Sequence, residues 1–244
     1  MNSKKLKLSL IIPCYNESDS LELLINKLFK IEDNFYEIIL VNNGSTDDTK
    51  SIVNKLIRKK LKFRLINLNE NIGYGHGIMS GVKESSGDII AWTHADLQTD
   101  PIDVVDAFNK YIKFPDYKNS IIKGKRVGRN FFDFFFTFCM GVISSFLLKV
   151  NISDVNAQPK MFHIDFLKLL TQYPKDFSLD LFVLYKAKVN GYEIYEHPVD
   201  FKNRLYGEAK GGGTIIGKIK LIIRTLSYII DLKSKLNNNG NYSS

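Results

Sequence analysis

Between Ile89 and Pro101 the chain reads IIAWTHADLQTDP. Ile89 to Trp92 is a short apolar run of the kind that forms a buried strand. It gives way at once to Thr93, His94, Asp96, Gln98, Thr99 and Asp100. Pro101 then opens a helix, since a first helical position tolerates a missing N–H. Carboxylate, amide and imidazole groups therefore crowd the carboxyl end of a central strand, which is where open α/β sheets bind ligands. Oxygen ligands at this spacing suit a hard divalent ion such as Mg²⁺ or Mn²⁺, and such an ion suits a diphosphate. An N-capping loop explains any single aspartate here, but not the cluster.

The surrounding elements must carry that cluster. Leu8–Pro13, Ile38–Val41, Phe63–Leu68 and Ile89–Trp92 read as strands. Between them lie helical patterns over Glu17–Lys30, from Asp47 to about Lys59, and from the glycine-rich Asn71–Gly77 to about Ser85. This alternation with short connections predicts a largely parallel sheet covered by helices on both faces. Each strand ends in polar residues: Tyr15-Asn16-Glu17, Asn42-Asn43, Asn69-Glu70-Asn71 and His94 to Gln98. A polar rim of this kind makes a site.

The second half is less regular. A helix over Asp103–Lys113 leads to a strand at Ser120–Ile122 and a basic loop, Lys123 to Arg126. Lys160–Phe162 reads as a strand, with helices from Asp165 and over Leu179–Val189, then a strand over Tyr192–Val199. Phe131–Val150 is apolar and aromatic, but its uncharged piece, Phe134–Leu148, falls short of the roughly 20 residues a membrane span needs. Over Thr214–Asp231 a helical pattern puts Ile215, Ile219, Ile222, Ile223, Leu226, Ile229 and Ile230 on one face. That face either rests on a membrane surface or packs on its own domain. The last eight residues, NNNGNYSS, read as a disordered tail over 237–244.

Composition sets bounds. With 244 residues, 44% hydrophobic and 25% charged, the chain is an ordinary globular sequence. A net charge of +8 suits phosphate-bearing ligands, an anionic membrane surface or nucleic acid, and does not choose among them. Cys14 and Cys139 stand far apart in apolar contexts, as reduced core residues do. The N-terminal residues lack a long apolar stretch, which predicts no signal peptide. Gly73-Tyr74-Gly75-His76-Gly77 is not a dinucleotide fingerprint: the third glycine comes one position early, and the motif follows the third strand. A nicotinamide dehydrogenase is therefore disfavoured.

Four ordered motifs carry a resemblance: IIPCYNE (Ile11–Glu17), VNNGSTDDT (Val41–Thr49), NIGYGHGIMSGVKESSGD (Asn71–Asp88) and HADLQTDP (His94–Pro101). GKR (Gly124–Arg126) and GYEIYEHPVDFKNRLYGEAK (Gly191–Lys210) follow. Over roughly Leu8 to Lys210 the chain resembles the family 2 glycosyltransferases. It is most similar to the dolichol-phosphate mannose synthase and polyprenyl-phosphate branch. The resemblance implies an α/β fold of the GT-A type, a Rossmann-like, mostly parallel sheet flanked by helices. It places a nucleotide-sugar-binding half at about 8–123 and a smaller acceptor half at about 124–210; the amphipathic helical pattern follows it, at 211–236.

The resemblance also implies roles. Pro13, Tyr15, Glu17, Asn43, Gly73, Asp96 and Lys210 would contact the nucleotide sugar. Asp96, Gln98 and His94 would hold Mn²⁺ or Mg²⁺. Arg126 and Arg204, with Lys210, would face the diphosphate or an acceptor phosphate, and Asp180 would be the base if the acceptor is a hydroxyl. Two positions depart from the family: His94 and Asn43 both stand where aspartate is usual. The expected activity is an inverting transfer from a UDP- or GDP-sugar to a polyprenyl phosphate or cell-surface glycan. It would take place at the cytoplasmic face of a membrane, with peripheral attachment and no nucleic acid. The competing expectation is a catalytically silent nucleotide-sugar binder or membrane scaffold with a degenerate metal site.

Overall fold

The computed structural model describes residues 5–128, 141–202, 204, 217, 219, 223 and 225–232. Its first half is a run of strand–helix units: β1 (Leu8–Cys14), α1 (Ser18–Phe29), β2 (Glu37–Asn43), α2 (Thr49–Leu56), β3 (Phe63–Leu68), α3 (Tyr74–Lys83), β4 (Ile89–Trp92) and α4 (Ile102–Tyr111). The second half supplies β5 (Ser120–Val127), β6 (Lys160–His163), α5 (Leu179–Val189) and β7 (Glu193–Asp200). All seven strands form one sheet in the order β3-β2-β1-β4-β6-β5-β7. Pairing is parallel except where β6 meets β4 and β5, so β6 alone runs against the rest.

The period-two alternation of the strands builds two cores. Leu8, Leu10, Ile12 and Cys14 of β1, with Ile38 and Leu40 of β2, face α1, α2 and α4 through Leu21, Leu24, Val53 and Val104. Ile11, Ile39, Val41, Ile90 and Trp92 face the other way, onto Ile78, Met79 and Val82 of α3 and Leu179, Phe182 and Val183 of α5. The result is a three-layer α/β/α body with β1, β2 and β4 buried on both faces and β3 half-exposed at the edge, which is why the three inner strands read as continuous apolar runs.

Several expectations need correction. Lys123 to Arg126 is not a loop: β5 continues through it to Val127. Lysines would not be placed inside a strand from sequence alone. They are tolerated because Glu196 lies opposite Lys123 in the β5–β7 register. The Glu196 carboxylate pairs with Lys123 Nζ at 3.0 Å and Lys125 Nζ at 2.8 Å, and accepts from Ser153 Oγ at 2.7 Å. The helix expected from Asp165 is only a 3₁₀ stretch, Ile164–Leu169. At the C-terminus the apolar residues do not share one fate. Ile229 and Leu232 pack with Leu148, Val155, Leu181 and Tyr185, while Ile219, Ile223 and Ile230 are exposed. Cys14 is a buried free thiol, while Cys139, Lys210 and residues 131–140 of the 131–150 apolar stretch lie outside the described residues. Among the described residues no helix is long and apolar enough to cross a membrane.

Glu196 gives a pH prediction. Burial works to raise its carboxyl. The hydrogen bonds from Lys125 and Ser153 and the Lys123 ammonium overcome that and bring it down to about 2. A carboxyl lowered by folding stabilises the native state above its unfolded value and loses that contribution as pH falls toward the folded value. Stability should therefore drop between about pH 4.5 and pH 2 more steeply in the wild type than in Glu196→Gln. Urea midpoints across that range read the difference.

Candidate nucleotide-sugar and cation site

The carboxyl ends of β1, β2 and β4 open on one rim, and the turns that follow them are tied to each other. The Asn16 backbone N–H donates to Ser45 Oγ at 3.0 Å, Glu17 N–H to Thr49 Oγ1 at 3.0 Å and Ser18 N–H to Asp47 at 3.1 Å. Burial raises the Asp47 carboxyl, and the bonds from Thr49 and Ser18 more than reverse this, leaving it below the usual range. The β1–α1 turn, with half-buried Pro13, Tyr15 and Glu17, is thereby fixed against the β2–α2 turn.

Asn43 ends β2 and is almost wholly buried. Its Nδ2 donates to Gly73 O at 3.1 Å and Asn71 Oδ1 at 3.2 Å. Both partners are acceptors, so an ionised aspartate at this position would face two oxygens with nothing to give. The choice of an amide at this position is thus explained by its neighbours. Asn43→Asp should lower stability by roughly 2 kcal/mol, measurable as a shift of the urea midpoint at neutral pH. Gly73 itself has φ +146, and a Cβ there would run into the Lys175 carbonyl. The close seat of α3 on residues 174–176 therefore requires glycine.

That seat places Tyr74. Its hydroxyl lies 2.9 Å from His94 Nε2 and 3.4 Å from Asp180 Oδ2, and accepts from Gln158 Nε2 at 3.1 Å. Its ring stacks on Phe177. Burial and the Asp180 charge hold the Tyr74 phenol well above its usual range. Burial holds the His94 imidazole below its own, and the Lys160 and Arg126 charges add to that against Asp96 and Asp180. His94 is therefore neutral near pH 7, a form that can ligate a cation.

Asp180, in the first turn of α5, is 1% exposed. Its Oδ1 meets Lys160 Nζ at 3.0 Å and Trp92 Nε1 at 3.3 Å, and its Oδ2 meets Gln158 Nε2 at 3.1 Å and the Tyr74 hydroxyl. Lys160 is fully buried, donates also to Ala157 O at 3.0 Å, and is pushed by burial, against the Asp180 charge, down to about 8. Trp92, Tyr74, Gln158 and Lys160 were not singled out from sequence. Lys160 left one signal, a lysine opening an otherwise apolar strand.

Asp96 and Gln98 follow β4. Asp96 Oδ1 accepts from the Gln98 backbone N–H at 3.2 Å, and Oδ2 accepts from Arg204 Nη2 at 2.8 Å. Arg204 Nη1 lies 3.8 Å from Glu17 Oε1. Gln98 Nε2 donates to Lys202 O at 3.3 Å, leaving its Oε1 as an acceptor. Arg126, on β5, is bound instead to Asp154: its backbone N–H meets Oδ2 at 2.9 Å and its side chain meets Oδ1 through Nε at 2.9 Å and through Nη2. The structure thus brings Glu17, Asp96, Gln98 and Arg204 together and joins His94 to Asp180 through Tyr74. Among the described residues no three His, Cys, Asp or Glu side chains converge as a cation cage. The carboxylate of Asp96, the amide oxygen of Gln98 and the imidazole of His94 are donor types that a divalent ion accepts. The nitrogen favours Mn²⁺ over Mg²⁺.

Known proteins agree with this layout. At 18% identity, a mannosyltransferase from Pyrobaculum calidifontis solved with GDP-Man and Mn²⁺ superposes with a TM-score of 0.67, over 94% of this chain and 65% of that one. A glucosyl-3-phosphoglycerate synthase from Mycobacterium tuberculosis, solved with Mg²⁺ and UDP, gives 0.74 at 14% identity, over 93% and 79%. These fix the fold as the GT-A type. The undecaprenyl-phosphate 4-deoxy-4-formamido-L-arabinose transferase of Yersinia enterocolitica is 36% identical over 102 residues, 40% of this chain and 31% of that protein. The Yersinia pestis protein of the same name is 36% identical over 108 residues, 43% and 33%. The match spans about a third of the length of these curated relatives. The model of glycosyl transferase family 2 matches residues 9–152, more than half of the sequence, and the chain belongs to that family.

Proposed function

We propose that this chain transfers a sugar, with inversion, from a UDP- or GDP-sugar to a polyprenyl phosphate at a membrane surface. The observation that carries the choice of acceptor is the enclosure of Asp180. A sugar hydroxyl is a poor nucleophile and wants a carboxylate base within hydrogen-bond reach. The carboxylate at the family's base position is buried, with both oxygens bonded to Lys160, Trp92, Gln158 and Tyr74. A phosphate acceptor is already anionic and needs no base. The names of the Yersinia relatives, which specify undecaprenyl phosphate, support the same reading.

In this reading the phosphate oxygen of the acceptor attacks the anomeric carbon as its bond to the nucleoside diphosphate breaks. Glu17 and Asn43, with Tyr15, Pro13 and Gly73, line the nucleotide end, and Arg204 and Lys210 meet the growing negative charge of the leaving group. Arg126, held by Asp154, faces the acceptor phosphate. A divalent ion on Asp96, Gln98 and His94 supplies further charge stabilisation to the diphosphate when bound. Val142, Ile143 and Phe146 on the helical residues 141–148, and Ile219, Ile223 and Ile230 near the C-terminus, are exposed apolar side chains suited to a lipid surface.

The test is incubation with a panel of labelled nucleotide sugars, Mn²⁺ and either polyprenyl phosphate in vesicles or soluble glycosides. Lipid-linked product supports the proposal. Transfer to hydroxyl acceptors alone, abolished in the double variant Asp180→Asn with Lys160→Met, replaces it with a glycan acceptor. Tight nucleotide binding without release of nucleoside diphosphate would make the chain a silent binder.

A further inference from the structure

We infer that Arg204 is a resident counter-ion on Asp96 that a divalent cation must displace, so that the cation binds well only when a diphosphate draws the guanidinium away. The inference rests on the nucleotide-sugar reading above and goes beyond it by assigning how the two ligands depend on each other.

The geometry is specific. Asp96 has one oxygen committed to the Gln98 backbone N–H at 3.2 Å, and the other is held by Arg204 Nη2 at 2.8 Å. The same guanidinium lies 3.8 Å from Glu17, and all three side chains are sheltered, with relative exposures of 16% for Arg204, 8% for Asp96 and 13% for Glu17. The chain delivers Arg204 there by a pin two residues earlier. Lys202 N–H donates to Gln98 O at 2.8 Å, Gln98 Nε2 donates to Lys202 O at 3.3 Å, and Phe201 N–H donates to Val127 O at 3.1 Å. The residue that follows Asp96 by two positions thus holds the backbone that carries its counter-ion.

A guanidinium and a metal ion on the same carboxylate compete for its lone pairs and repel each other, so each weakens the hold of the other. Without nucleotide, Arg204 satisfies Asp96 and Glu17 and keeps a bare cation out. A diphosphate offers the guanidinium oxygens in the forked geometry it prefers. Once Arg204 turns to that diphosphate, Asp96 is left as an uncompensated carboxylate next to the diphosphate, where a divalent ion binds both. Nucleotide and cation then raise each other's affinity, and by linkage the effect is mutual.

An arginine that served only to grip phosphate, or only to hold the fold, would not suppress cation binding. Removing it would weaken nucleotide binding and leave the affinity for bare Mn²⁺ unchanged. Removing a counter-ion does the opposite to the metal. Free Mn²⁺ measured by electron paramagnetic resonance reads this directly, on the full chain, without turnover. Wild type, Arg204→Gln and Arg204→Lys are titrated with Mn²⁺ alone and with UDP or GDP, each against a protein-free nucleotide control. Arg204→Gln should bind Mn²⁺ alone on the order of tenfold more tightly than wild type, and its gain on adding nucleotide should shrink. Arg204→Lys keeps the charge and should stay near wild type with Mn²⁺ alone. Equal or weaker binding of bare Mn²⁺ by Arg204→Gln, or a lysine variant indistinguishable from it, overturns the counter-ion role while nucleotide-supported binding in wild type leaves the site intact. Absence of Mn²⁺ binding in every protein, with or without nucleotide, removes both the cation site and this inference.

Discussion

Asp180→Asn should destabilise the fold by about 3–5 kcal/mol, because it strands the Lys160 ammonium in the core with one carbonyl for company. Lys160 is fully enclosed and Asp180 nearly so, at 3.0 Å from each other. Two opposite charges brought that deep lose most of their hydration, and their attraction only roughly restores it. The pair therefore adds little net stability while each half is strongly dependent on the other. Adding Lys160→Met to Asp180→Asn removes the second charge, keeps an acceptor for Trp92 and Gln158, and should recover most of the loss. Denaturant unfolding of both singles and the double variant measures this. The double variant also decides the chemistry. If the acceptor is a phosphate, its turnover stays within about tenfold of wild type; loss of a true base would remove about 10²–10⁴-fold.

Asp96→Asn is expected to cut turnover by about 10²–10³-fold and to abolish Mn²⁺ binding in the presence of nucleotide. Asp96 is the carboxylate of the candidate donor set, since Gln98 and His94 are neutral, so an amide there leaves no anionic ligand for the ion. Steady-state kinetics with saturating Mn²⁺ gives the first effect and a Mn²⁺ titration the second. A variant with normal turnover would mean that the transfer does not run through this carboxylate. His94 bears on the same point from the other side. Its Nε2 is engaged with Tyr74 at 2.9 Å, so the orientation of the ring is set by a tyrosine and, behind it, by the Asp180–Lys160 pair.

Much of the fold is legible because its signals are local. A buried strand such as Ile89–Trp92 is a short apolar run cut off by polar residues, and the sheet places it between β1 and β6. The α5 helix begins at Leu179 and ends at Val189, as its pattern predicts. What the sequence hides is pairing. Lys123 inside a strand looks like a loop residue until Glu196 is brought opposite it, and that register depends on two strands far apart in the chain. Likewise nothing near Asp96 announces Arg204, 108 positions away. Asp180 reads as an ordinary helix-start carboxylate, and only packing shows that its oxygens are already occupied by Lys160, Trp92, Gln158 and Tyr74.

The reversed direction of β6 has a practical corollary. β6 begins at Lys160, which lies between Lys123 of β5 and Trp92 of β4, while β5 runs on past that point to Val127 alongside β7. Residues 128–159 therefore connect two neighbouring strands of one sheet. A graft of another member's stretch between these strands must keep Asp154 for Arg126 and Gln158 for Tyr74 and Asp180, so the connection can be exchanged only with its two inward-bonding ends retained.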